Sequence, residues 1–360
     1  MGPERVSRVR GTPRRSPRRG ARNIYLDALR AVALSRVVVY HVVSREWITL
    51  VSAMPLMFFI AGSLYAASLE RRAARQVILD RYRRILLPYW LYVVAMVALW
   101  GALGVLGDMS LGDWVGMVMP VLAPEGPRGP EPGTLLEMTW IALWYLQFHL
   151  TLSLVGPWLR RVQQRHAARM WAVLGAAFLV GVAAGSGIVV VVFYVSCWIL
   201  GYHQHDGDLA PLARRWWRPV CALAGPVGLG LFLAFEPASE SSGVAARLAA
   251  VGAGLLGAFW LTLALALQAR IEPYLRRGVT PAVVHWFSQR SLTIYMWHLV
   301  AIYAAIRLEL PGATNWFGVL MWCAALTVVA VVVVGWAEDV AARRPVRLWP
   351  RPAIDLRPAT

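Results

Sequence analysis

The sequence predicts an all-α fold: a polytopic transmembrane helical bundle of about ten spans with both termini cytoplasmic. Three observations carry this. Of 360 residues, 58% are hydrophobic and 15% charged, against roughly 45–50% and about 25% in a soluble domain. The apolar residues fall in recurring runs of about 20, enough to cross a hydrocarbon core of roughly 30 Å. These runs are too long for barrel strands, and a backbone in lipid must satisfy its own amides, which leaves helices. Finally, the basic residues, all arginines, gather in alternate loops.

In chain order, residues 1–22 form a basic tail rich in Arg, Pro and Gly, with Glu4 as its one acid. Such a segment has too little apolar surface to order itself, and its charge suits anionic cytoplasmic lipid. The first apolar run follows at 24–44. It carries Asp27, Arg30 and Arg36, which argues against a cleaved secretory signal. Further runs occupy 48–68, 85–107, 136–158, 170–186, 187–202, 219–236, 247–268, 291–308 and 316–337. Between the third and fourth, an apolar stretch around Trp114–Val121 reads as a short interfacial helix. The run PEGPRGPEPG after it reads as an irregular loop over an outer cavity. Gly181 and Gly185 have the spacing of close helix packing. The domain reading is a tail over 1–22, a transmembrane domain over 23–338 and a cytoplasmic tail over 339–360.

Loop charge tests the count. With a cytoplasmic N-terminus, every even-numbered run exits into an arginine-rich segment: Arg71 to Arg84, Arg160 to Arg169, Arg214 to Arg218, Arg270 to Arg290, and the arginines from Arg343 on. The other segments carry Asp108, Asp113, Glu125, Glu131, Glu236 and Glu240, with Arg45 and Arg128 as exceptions. This is the positive-inside asymmetry, and one miscounted span would invert everything downstream. The same asymmetry accounts for the net charge of +17, so no nucleic-acid partner is expected. Cys197, Cys221 and Cys323 are scattered through apolar runs and form no CxxC. They imply neither a disulfide framework nor a zinc site. His203 and His205 flank Asp206 and Asp208 in HQHDGD, which resembles a metal cluster, but it lies without a convergent partner and no metal is expected.

The first run holds the chemistry. Ionisable groups within a bilayer are costly and mark functional sites, and here Asp27, Arg30, Arg36 and His41 share one helix. Arg30 and His41 are eleven residues apart, about 20° from three whole turns with a rise of about 16 Å. They therefore share a face, Arg30 toward the cytoplasm and His41 toward the outside. Asp27 lies one turn before Arg30 and suits a structural ion pair with it. Arg36 points about 140° away from His41 and meets a different neighbour. A structural ion pair beside a core histidine is the competing explanation.

Arg30, ten residues and His41, within LDALRAVALSRVVVYH, resemble the opening motif of acyltransferase family three. Three further segments are similar to that family: MPLMFFIAGSLYA, with Ala61 where members commonly carry Ser; the basic RYRRILLPYW; and SLTIYMWH with Ser291, Tyr295 and His298. The resemblance spans the whole ten-run core. It implies an integral enzyme of the inner (plasma) membrane that moves an acyl group, commonly acetyl, from cytoplasmic acyl-CoA onto a hydroxyl of a sugar or glycoconjugate. Acyl-CoA is then a co-substrate, with no resident cofactor.

On that reading His41 is the general base, since a neutral imidazole has a suitable pKa, or alternatively a nucleophile. Asp27, about 21 Å along the helix from His41, is too far to orient it, whereas Glu137 at the outer face is placed to do so. Arg30, Arg81, Arg83 and Arg84 suit the CoA phosphates, because guanidinium forks bind phosphate bidentately. Tyr295 and His298, about 10 Å above the cytoplasmic surface, line the donor path; His149 and Gln147 are ambiguous between that path and packing. The alternative function is a transporter or flippase for a small polar or lipid-linked substrate, since intramembrane Arg, Asp and His also mark such pathways.

Overall fold

The computed structural model describes residues 23–106, 109–122, 137–141, 143–185, 187–235 and 243–347. The expected N-terminal tail and the PEGPRGPEPG loop lie outside them. Among the described residues the regular elements are all helices, with no strand. The helices are α1 (Ile24–Val43), α2 (Ala53–Leu69), α3 (Ala74–Ala102), α4 (Leu111–Val118), α5 (Met138–Ile141), α6 (Trp144–Ala184) and α7 (Ile188–Asp206). They continue with α8 (Leu209–Phe235), α9 (Gly243–Leu275), α10 (Thr280–Gln289), α11 (Ser291–Arg307), α12 (Trp316–Val334) and α13 (Trp336–Ala341).

Each of the ten apolar runs falls on a helix or an arm of one. Seven stretches are long and apolar enough to cross a membrane by length and composition. α1 is not among them because it carries Asp27, Arg30 and Arg36, and α11 because it has 17 residues. α6 holds two of the expected runs. His166 has non-helical backbone angles (φ −141°, ψ 40°), and the chain reverses there. Before the bend, Arg160 and Gln163 meet the last turn of α7 at Asp206 and His203. After it, Trp171 stacks on His203, and Gly181 lies against Val189 at the start of α7.

α1 begins at Asn23, whose side chain caps the amides of Tyr25 and Leu26, satisfying two of the four amides a helix start leaves open. It ends at Ser44 in the left-handed conformation, φ 50°. α1 packs against α2, α9, α10, α11 and α12, so the helix that carries Asp27, Arg30, Arg36 and His41 is contacted by five others. α2 and α7 cross at glycines. A Cβ on Gly62 would collide with the carbonyl of Trp198, and one on Gly201 with the backbone of Phe59 and Ser63. Here the FFIAG segment is a packing surface. Gly181 and Gly185 serve the turn into α7, Gly185 with φ +65°, and a Cβ on Gly185 would meet the Arg247 guanidinium of α9.

Two features depart from the sequence reading, the start of α3 and the burial of Arg290. α3 starts at Ala74, eleven residues before the expected 85, so Arg81, Arg83 and Arg84 are helical and not in a loop. α4 forms where the interfacial helix was expected, closed by a Ser110–Asp113 capping box, and hangs on α3 through Tyr89 Oη to the Met117 carbonyl (2.7 Å) and Trp90 Nε1 to the Val118 carbonyl (2.9 Å). The boundary drawn at 338 falls inside α13, which packs on α3 with Asp339 and Ala341 buried. Arg290, expected as a surface loop arginine, is fully buried. It donates to Asp339 (2.7 Å) and to the carbonyls of Gly335 and Arg347 (both 2.6 Å). A buried guanidinium persists only when paired and hydrogen-bonded, and this one ties the segment beyond 338 to the start of α11.

Candidate active site

The site is built on the inward face of α1. At its lower end, Ser288 of α10 joins Asp27 and Arg30: its hydroxyl donates to Asp27 Oδ1 at 2.7 Å and accepts from Arg30 Nη1 at 3.4 Å. The expected ion pair is thus linked through a serine that sequence reasoning missed. No pattern in the sequence marks a lone Ser 261 residues from its partner.

Above and beside Ser288 lies a half-open cavity of about 350 Å³. Its charged lining is Arg30, Arg81, Arg84 and Arg344, with Glu338 as the one carboxylate among them. Arg81 and Arg84, three residues apart, share a face of α3, whereas Arg83 is about 200° from Arg81. Arg83 accordingly turns away. It bonds the Ala341 carbonyl (2.9 Å), pairs with Asp80 at 3.6 Å, and lines a separate pocket with Arg75 and Arg343. Arg81 lies over the Tyr65 ring at 5.9 Å, and neither Arg81 nor Arg84 has a hydrogen bond or ion pair among the described residues. Arg344 is held by Asp339 at 3.1 Å. Glu338 accepts from the Thr293 amide (2.8 Å) and hydroxyl (2.5 Å), and burial pushes its carboxyl up to about 7. Glu338, at the last position of the expected transmembrane domain, and Arg344, in the expected tail, escaped the sequence reading.

Tyr145, His149 and Tyr295 form the inner wall of the cavity, with Met57 and Ala61 of α2. The Tyr145 and Tyr295 rings meet edge to face at 5.5 Å, and Tyr145 Oη lies 3.4 Å from His149 Nδ1. Gln147, paired with His149 in the sequence reading, is not in this wall. The Tyr295 carbonyl accepts from His298 Nδ1 at 2.7 Å. That bond fixes the tautomer of His298 and leaves Nε2 as an acceptor, fully buried and without a partner among the described residues. The His298 ring lies 5.3 Å from that of His41.

His298 therefore stands in the layer of His41, higher than expected. Ser288 contacts Arg30. From there, ten residues up α10–α11 and eleven up α1 both rise about 15–16 Å. Sequence alone set the depth of His298 from the start of an apolar run; the break at Arg290 (φ −110°, ψ 12°) hides that α10 already lies at the level of Arg30. The half-buried His41 ring has Tyr40 and His298 as ring neighbours. No hydrogen bond joins it to Glu137, which precedes α5, a helix packed on α11. Arg36 does point elsewhere, donating to the Ile48 carbonyl at 3.0 Å and lying over the Tyr40 ring.

The HQHDGD residues form the end of α7 and the turn after it. His203, Asp206 and Asp208 bring their ligand atoms within 4.8 Å of one another. Asp206 is already gripped by both nitrogens of the Arg160 fork (2.6 and 2.5 Å), and His205 pairs with Glu70 at 3.0 Å. This is a polar latch between α2, α6 and α7, its charges already matched by the protein.

What the geometry offers is a cationic cavity below and an imidazole pair above, one layer of tyrosine apart, on a single helix face. Comparison with known proteins identifies the family of the chain, not the roles of these residues. The family described as an acyltransferase domain matches residues 23–337. No curated protein and no solved structure matches. With nearly the whole chain covered and its helices of membrane-crossing length, the protein belongs to acyltransferase family three and is a multi-pass membrane acyltransferase.

Proposed function

We propose that the protein transfers an acyl group, acetyl in the simplest case, from cytoplasmic acyl-CoA to a hydroxyl of a sugar or glycoconjugate at the inner (plasma) membrane, with His41 as general base. The observation that carries this is the vertical order on α1. Arg30 sits in a cavity of four arginines, and His41 faces a second buried imidazole about 16 Å above it, a separation a pantetheine arm spans. Arg30, Arg81 and Arg84 hold the CoA phosphates, and Arg344 closes the cavity from the α13 side. The thioester arm passes the Tyr145–Tyr295 ring pair to reach the histidines. Cytoplasmic termini and ten crossings, which the loop arginines support, put the cationic cavity on the side where acyl-CoA occurs.

The reaction then needs one proton relay. His41 removes the proton of the acceptor hydroxyl as its oxygen attacks the thioester carbonyl. The C–S bond breaks, and the departing thiolate takes the proton back from the imidazolium, releasing free CoA. His298 flanks His41 from the side, its ring 5.3 Å away; with Nδ1 committed to the Tyr295 carbonyl, its unpartnered Nε2 is the acceptor available to a proton on the His41 ring during turnover. His298 takes the orienting role considered for Glu137.

Replacing His41 with Ala should lower acyl transfer by about 10²–10⁴-fold while CoA binding persists. The measurement is release of free CoA thiol by purified protein in detergent given acetyl-CoA and a cell-envelope extract as acceptor source. Undiminished release by H41A removes the base role. No release by the wild type under any acceptor returns the chain to the carrier reading.

A further inference from the structure

A second cavity, of about 300 Å³, lies on the opposite side of α1 from the histidine pair. Arg36 and Tyr40 form its α1 wall, Thr49 and Ser52 its upper rim, and Tyr194 adds a phenol; the rest is apolar, with Pro55, Phe178 and Phe193 prominent. α9 contributes only Ala250, Ala253 and Gly254, so that side is flat and leaves the space open. Arg36 commits Nε to the Ile48 carbonyl at 3.0 Å and rests over the Tyr40 ring at 5.3 Å. Its two terminal nitrogens have no hydrogen bond or ion pair among the described residues. Glu46, the acid that follows α1, instead accepts from Tyr40 Oη at 3.4 Å and is exposed.

A guanidinium fork inside an apolar wall is costly unless an anion meets it, and a fork with both terminal nitrogens open matches phosphate. The rim indicates what else the ligand carries. Leu179, Val180, Ile188 and Val191 beside the cavity are all more than 40% exposed, a surface suited to lipid chains and not to water. We infer that this cavity binds the phosphate of a lipid-linked acceptor, with Arg36 on the phosphate and the hydrocarbon chain leaving between α6 and α7. Tyr40 stands between the two sites, its ring 5.3 Å from the Arg36 guanidinium and 5.2 Å from the His41 ring. A sugar carried on the phosphate passes around Tyr40 to present a hydroxyl to His41. This assignment of acceptor class rests on the acyl-transfer reading; the anion site itself does not.

The test is binding of farnesyl phosphate to the full-length protein in detergent, by native mass spectrometry, with farnesol and inorganic phosphate as comparison probes. Farnesyl phosphate should bind at least about tenfold more tightly than farnesol. Arg36→Gln should remove that preference, and Gly254→Leu, which fills the cavity without touching the arginine, should block both probes. His41→Ala should bind farnesyl phosphate as the wild type does, so a failed acyl-transfer reading leaves this result standing. Equal binding of farnesol and farnesyl phosphate would overturn the inference. So would binding that survives both R36Q and G254L, or inorganic phosphate binding as tightly as the lipid, which would make this a free-anion site.

Discussion

Among single residues, Glu338 sets the sign of a pH effect. Its carboxyl is raised to about 7 because burial penalises the charged form more than the Thr293 hydrogen bonds and the nearby Arg290 and Arg344 favour it. Below that value it is neutral, and the cavity shows only its arginines. As pH rises through about 7 it ionises and adds a negative charge beside groups assigned to bind phosphates, so CoA affinity should fall between about pH 6 and pH 8. Glu338→Gln cannot ionise. It should keep the low-pH affinity across that range, after allowance for the titration of the CoA phosphate, which both proteins share. Calorimetric CoA titrations at several pH values check this; parallel profiles for wild type and E338Q would exclude Glu338. Nothing in the sequence announces this residue. Its burial comes from α13 folding back on α3, a contact between positions more than 200 apart. His41 and Arg30, by contrast, were legible, because charged groups in an apolar run stand out whatever the fold around them.

Among elements, helix phase decides which of three neighbouring arginines matters. With α3 begun at Ala74, Arg81 and Arg84 look into the cavity while Arg83 is used by Asp80 and the Ala341 carbonyl. Arg81→Gln should weaken CoA binding by about tenfold, in line with loss of one charge-assisted bond of about 1.5–3 kcal/mol, and Arg83→Gln should leave it within about twofold. Equal losses would mean that the loop's overall charge, not the fork on one face, attracts the donor. Hydropathy located the α3 run but placed its start eleven residues late, since arginines lower the local average without ending the helix. The same limit applies to the bend in α6, where no Pro or Gly flags His166, and to α10, whose apolar face is too short to read as a span. The long runs were legible because length and apolarity are local properties; their pairing, such as Gly62 against Gly201, depends on which helices meet.

On the scale of the whole molecule, the two cavities give the enzyme a direction. The arginine cavity sits at the end of α1 where its N-terminus lies, among Arg30, Arg81, Arg84 and Arg344. The Arg36 cavity sits toward the other end, beside Tyr40 and Thr49. On the proposed topology, which the loop arginines support through the positive-inside rule, the first end faces the cytoplasm. Acyl-CoA is too highly charged to cross a bilayer unaided, so the protein should accept it from one face only. Inverted membrane vesicles, with the cytoplasmic face outward, should release CoA thiol from added acetyl-CoA at once. Sealed right-side-out vesicles should release none until permeabilised, and then at the same rate per protein. The H41A protein should be silent in every preparation, which separates transfer from background hydrolysis. Equal activity in both intact orientations would mean that the donor cavity is reachable from outside. The arginine count would then report only how the chain was inserted, and the vertical order along α1 would lose its meaning as a path from donor to acceptor.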